Sequence, residues 1–198
     1  DLYCCVQGMD AVKEENHFSY TNTGMISIGN RNGEKDEKLD FVTGIFDEAG
    51  LAYEIPEDIM HKMWSKLMFN TGVNQAATVF DIPYGGLQKE GMARTMMREA
   101  MKETKRIAQY EDVFLTDEEI DGWFGLLDGL NPKGMPSMRQ DMLAKRATEL
   151  ELFAGTIKRK GMEYGVQTPV NDYFYDGILL MERNRGIFRE ETDEKAEE

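Results

Sequence analysis

The sequence has little with which to bind a metal or cross-link itself. Of its 198 residues only Cys4 and Cys5 are cysteine, and only His17 and His61 are histidine. Adjacent cysteines in an extended segment point to opposite faces, so no disulfide is expected between them and a reducing cytoplasm is the expected setting. The histidines stand apart from any Cys/His cluster, and no metal site is expected. Positive charge is scarce as well: 23 Lys and Arg against 37 Asp and Glu leave a net charge of −14. That argues against a nucleic-acid footprint and against attraction to an anionic membrane surface. No apolar run approaches the roughly 20 residues that span a bilayer, and DLYCCVQG lacks the basic flank and apolar core of a secretion signal. Neither a membrane partner nor export is therefore expected. Also missing are a Ser-His-Asp set, G-x-S-x-G, a Walker loop and G-x-G-x-x-G.

What the chain does have is 41% hydrophobic residues, enough for one large domain or one domain with an appendage. LYCCVQ, from Leu2, reads as a short strand ending at Gly8, with a polar turn region from Met9 to Asn16. HFSYTNTG and MISIGNRNG read as two extended segments joined at Asn22-Thr23-Gly24, a hairpin signal. Lys35 to Glu48 has helical spacing at Leu39, Val42, Ile45 and Phe46 with Gly50 as a stop, and LAYEIP is a short strand closed by Pro56. Five helices are expected beyond it, over about 57–80, 89–110, 117–130, 137–164 and 170–185. The third opens with a capping box, Thr116 and Glu119. After Phe188, REETDEKAEE has no periodic apolar positions and reads as disordered. The fold class is thus α+β, mainly α: a β-rich part at 1–56, an all-α part at 57–188 and an acidic tail at 189–198.

The stretch Met63–Phe80, MWSKLMFNTGVNQAATVF, has the composition of a buried helix with a polar stripe through it. Lys66, Asn70 and Asn74 are four residues apart, so at roughly 100° per residue they drift only about 40° per step and share a face. Leu67 borders the stripe on one side, and Phe69, Val73 and Ala77 on the other. No acid from Met63 to Phe80 is available to neutralise the lysine. Desolvation disfavours the charge of such a lysine, which is how a proton donor usable near neutral pH is made. A snorkelling lysine beside two amides bonded to backbone or water fits the same pattern, and this stretch alone leaves both readings open.

Ser137 follows a Gly134-Met135-Pro136 loop and precedes Gln140 by three positions, the pattern of a second capping box. A helix N-terminus with a hydroxyl is also a carboxylate-binding site. Along a helix continued to Tyr164, Arg146, Glu149 and Phe153 share one face, with Glu149 nearer the apolar side than Glu151. GVQTPVN supplies a turn glycine, a helix-starting proline and Asn171, and by itself fixes the angle between two helices.

Together these segments resemble the ketopantoate reductases (2-dehydropantoate 2-reductases). The residues that carry the resemblance are W-S-K-L-x-x-N-x-x-x-N from Trp64 to Asn74, P-S-M-R-Q-D from Pro136, R-A-T-E from Arg146, and G-V-x-T-P-V-N from Gly165. Their order and spacing agree with that family's C-terminal helical domain. Gly8-Met9-Asp10-Ala11 and Gly24-x-Ile26-x-Ile28-Gly29 resemble the last strands of its nucleotide-binding domain. The resemblance implies a remnant of a Rossmann-type domain followed by an all-α domain like the 6-phosphogluconate dehydrogenase C-terminal domain. It implies a cytoplasmic oxidoreductase that uses NADPH to reduce the 2-keto acid ketopantoate to pantoate, for pantothenate and coenzyme A biosynthesis, and the open strand edge at residues 2–30 is expected to pair with a second copy in a homodimer. It further implies that Lys66 protonates the ketone oxygen, Asn70 and Asn74 hold the substrate, and Ser137 binds its carboxylate. Glu149 would lie against the cofactor, and backbone near Ala11 would approach the nicotinamide. The family's glycine-rich half is absent from this chain, so the chain alone is expected to be inactive. Two other functions stay open: a non-catalytic helical dimerisation module, and a related opine- or 2-keto acid dehydrogenase.

Overall fold

In the computed structural model the described residues are 1–9, 12–14, 16–20 and 22–187. Ala11 and the acidic tail at 189–198 lie outside them. The architecture is α+β and mainly α, and the chain separates into two compact units, 1–66 and 67–198. Among the described residues no helix is long and apolar enough to cross a membrane.

The first unit contains β1 (Leu2–Met9), β2 (Val12–Glu14), β3 (His17–Ser19), β4 (Thr23–Asn30), α1 (Glu37–Ala49) and β5 (Tyr53–Glu54). The hairpin expected between the segments at 17–20 and 25–29 is not what forms. β3 pairs with β2, while β4 pairs antiparallel with β1 from Leu2↔Asn30 to Met9↔Thr23. The eight-residue β4 finds a partner for its whole length in the eight-residue β1, whereas β3 offers three residues. The longer ladder pairs more backbone groups and wins. Nor does Gly8 end β1. It lies inside the strand at φ 71, and Gly24, at φ 75, lies between the same two flanking pairs of the ladder. Both adopt a left-handed conformation that a Cβ would penalise. β5 then joins β4 in parallel, which the connection through α1 permits. Asp36 caps α1 by accepting from the Leu39 amide at 2.9 Å, and Gly50 closes it in the left-handed region.

α2 (Ile59–Val79) begins in the first unit and continues into the second. There follow α3 (Tyr84–Leu87), α4 (Met92–Gln109), α5 (Asp117–Gly129), α6 (Ser137–Leu143), a π-helical turn (Glu151–Gly155), α7 (Thr156–Tyr164) and α8 (Pro169–Asn184). The short α3 falls in a stretch that reads as a simple break. The capping box at Thr116 and Glu119 is present in both directions, at 3.2 and 2.9 Å. α4 packs closely on α2: a Cβ on Gly72 would lie 2.7 Å from Met101 Cγ. Phe69 stacks on Trp123 of α5 with centroids 4.6 Å apart. A cluster of Met138, Met142, Leu150, Phe153, Ala154, Ile178 and Ile187 forms the core beneath α6 and α8.

The single helix expected over 137–164 is broken. α6 stops at Leu143, Lys145 sits at φ 55, and helical structure resumes only at Glu151. Partners for the broken stretch lie on α8 and at Arg185 just past its end. Glu182 takes the Thr148 amide and hydroxyl, and Arg185 Nη1 donates to the Met142 carbonyl at 3.1 Å. The Thr148 amide, which a continuous helix would pair internally, is bonded to α8 instead.

Candidate active site

α2 presents Lys66, Asn70 and Asn74 in one stripe of an uninterrupted helix. Lys66 is half-buried, its Nζ donates to the Val6 carbonyl of β1, and among the described residues no carboxylate pairs with it. Burial pushes the neighbouring Cys5 thiol up, and the Lys66 charge draws it only partly back. The lysine therefore has a neutral thiol, not a thiolate, beside it on β1. Asn74 is 5% exposed and Asn70 is half-buried, yet among the described residues neither side-chain amide is hydrogen-bonded. Amides without protein partners among the described residues at such positions are suited to a polar ligand.

Roughly 100° round the same helix, Thr71 and Gln75 anchor it. Thr71 and Thr104 hydroxyls meet at 2.7 Å. Gln75 Nε2 donates to the Thr71 carbonyl at 2.6 Å and to Asn171 Oδ1 at 3.0 Å. Asn171 Nδ2 donates to Glu103 Oε2 at 2.8 Å and to the Ala100 carbonyl at 3.2 Å. Glu103, 2% exposed, also accepts the Val170 and Asn171 amides, both at 2.9 Å, and so caps α8. Sequence reasoning missed Glu103 and Glu182. A signal existed: Ala100, Glu103, Thr104 and Ile107 follow the i, i+3, i+4, i+7 spacing of a buried face, as do Phe174, Ile178 and Glu182 at wider intervals.

Ser137 is the first residue of α6 and is exposed. The capping box expected of it is absent, since Pro136 occupies the cap position and makes no side-chain bond. Gln140 instead donates to the Met135 carbonyl at 3.1 Å. The helix is fixed through Arg139, whose Nε and Nη2 both reach Asp81 Oδ1 at 3.2 Å, just past the end of α2. Arg139 thus ties the P-S-M-R-Q-D segment to the helix that carries the asparagines. Glu149 does not share a helical face with Arg146 and Phe153. It lies in the irregular link after α6, is exposed, and is held through its neighbour Thr148 by buried Glu182. Arg146 pairs with Asp141 at 2.7 Å. Among the described residues no hydrogen bond joins Ser137 or Glu149 to Asn70 or Asn74.

In sequence, a small mixed sheet is followed by a helical part whose first long helix carries the lysine–amide stripe. The family model "Ketopantoate reductase PanE/ApbA C terminal" matches residues 58–182, and the chain belongs to the ketopantoate reductase family. It is 25% identical over 170 residues to a 2-dehydropantoate 2-reductase of Vibrio cholerae serotype O1, covering 85% of this chain and 56% of that one. The chain spans about half the length of the curated relatives it matches, 53% of one from Halobacterium salinarum. A dimeric ketopantoate reductase from Staphylococcus aureus shares the fold at TM-score 0.82 and 18% identity, over 93% of this chain and 63% of that one. A D-mandelate dehydrogenase in ternary complex with NADH and anilino(oxo)acetate is similar at TM-score 0.75 and 26% identity, over 85% and 70% of the two chains.

Proposed function

We propose that this chain is the substrate-holding part of an NADPH-dependent reductase that converts ketopantoate to pantoate, toward pantothenate and coenzyme A. One observation carries the reading: a half-buried lysine with no acid partner among the described residues shares a helix stripe with two amides that no described residue occupies. Hydride addition to a ketone builds negative charge on its oxygen, and a positioned ammonium with adjacent amide donors stabilises that charge.

In this reading Lys66 Nζ delivers the proton to the ketone oxygen, which becomes the product hydroxyl. Asn70 and Asn74 hold the substrate by hydrogen bonds, and the Ser137 hydroxyl and the first amides of α6 take its carboxylate. Glu149 and the backbone near Ala11 are the groups assigned to the cofactor side. The sequence has no glycine-rich phosphate turn, so the residues present fit only the nicotinamide end of a dinucleotide. When bound, the nucleotide supplies the hydride. The chain by itself is accordingly proposed to be inactive, and the working enzyme a cytoplasmic homodimer, as the Staphylococcus aureus relative is dimeric. The mandelate dehydrogenase supports a second assignment, a 2-keto acid with a larger side chain and NADH. The test is turnover, in the chain joined to a nucleotide-binding half, of ketopantoate and phenylglyoxylate with NADPH and NADH. Preference for ketopantoate with NADPH is the expected result.

A further inference from the structure

We propose that Glu103, Asn171 and Gln75 form a positioning relay that sets the rotation of α2, and with it the aim of Asn70 and Asn74. The inference rests on the reading of those asparagines as substrate-holding groups.

The relay has a direction fixed by donor and acceptor chemistry. The Glu103 carboxylate receives two backbone amides of α8 and the Asn171 Nδ2. That contact and the Ala100 carbonyl leave Asn171 only one orientation, with Oδ1 turned toward α2. An acceptor there requires a donor from Gln75, so its amide orientation is dictated in turn. The same Nε2 returns to the Thr71 carbonyl of its own helix, which makes the link a hold on the α2 backbone and not on a side chain alone. Three helices are thereby keyed to one another through groups at or below 2% exposure.

The arrangement leaves a cost uncollected. Gln75 Oε1 is fully buried and has no hydrogen-bond partner. A core selected only for stability would place an apolar side chain here. Retaining the amide makes sense where orientation matters, because Thr71 and Gln75 sit next to Asn70 and Asn74 on the same turns. A few degrees of rotation of α2 moves both sets together.

The test reads the asparagine side chains directly. In the chain labelled with ¹⁵N at asparagine, the side-chain amide resonances of Asn70, Asn74 and Asn171 are compared among wild type, Glu103→Gln and the apolar-core variant Ile178→Val. Glu103→Gln turns one acceptor into a donor facing donors, on a helix other than α2. The relay predicts that the Asn70 and Asn74 resonances move in Glu103→Gln and stay in place in Ile178→Val. Movement of Asn171 alone overturns it. Gln75→Met serves if Glu103→Gln does not fold. In the chain joined to a nucleotide-binding half, Gln75→Met is expected to lower kcat/KM for the keto acid about tenfold with the KM for NADPH unchanged. An equal loss in an Ile178→Val enzyme of matched melting temperature overturns positioning. A wild-type protein inactive on every 2-keto acid counts against the reductase reading, and the resonances then decide the relay.

Discussion

Glu182 and Thr148, 34 residues apart, meet in the interior: one carboxylate oxygen accepts the threonine amide at 2.8 Å and its hydroxyl at 2.7 Å. This pair fixes the link after α6 next to Glu149. Glu182→Ala removes the acceptor of a buried amide and hydroxyl, at a cost of about 3 kcal/mol, while Thr148→Val should cost about 1–2 kcal/mol. Urea unfolding of the chain measures both. Equal midpoints for wild type and Glu182→Ala would refute the role.

The pair also explains what the sequence could and could not reveal. α2, the Thr116 capping box and the Gly50 stop were legible because their signals are local. The break at 144–150 was not, because the partners that hold it, Glu182 and Arg185, lie on and just past another helix. Strand pairing failed for the same reason. Asn22-Thr23-Gly24 carries turn residues, but the partner of β4 lies at the other end of the segment. Of the site, the Lys66 stripe was readable from spacing alone. Glu103 and Glu182 appear in sequence only as misplaced charges on apolar faces, and their bonds exist only in the folded chain.

Ser137 offers a clean separation of stability from binding. It is exposed and caps nothing, so Ser137→Ala should leave the unfolding midpoint within about 0.5 kcal/mol of wild type. If it binds the substrate carboxylate, the same change should raise the KM for the keto acid about tenfold in the joined enzyme. Thermal melts and initial rates check the two halves. A stability loss with an unchanged KM would reassign Ser137 to the fold.

Hydrogen bonds from Lys62 and Ser27 hold the Glu54 carboxyl below the usual carboxylate range. Its folded pKa is lower than its unfolded one, so its contribution is present above the ordinary carboxylate value. It is lost as pH falls through the folded value. Wild type should therefore exceed Glu54→Gln in stability at neutral pH, with the gap closing in acid. Urea midpoints over a pH series give the answer, and a gap independent of pH would contradict it.

Lys66 carries the proposed chemistry, and a single steady-state measurement decides its role. NADPH oxidation with saturating ketopantoate is followed in the chain joined to a nucleotide-binding half, as wild type and as Lys66→Ala. If Lys66 delivers the proton, the variant loses about 100-fold or more in kcat while its KM for NADPH stays within about twofold. A Lys66→Ala enzyme that turns over at the wild-type rate would remove the lysine from the mechanism.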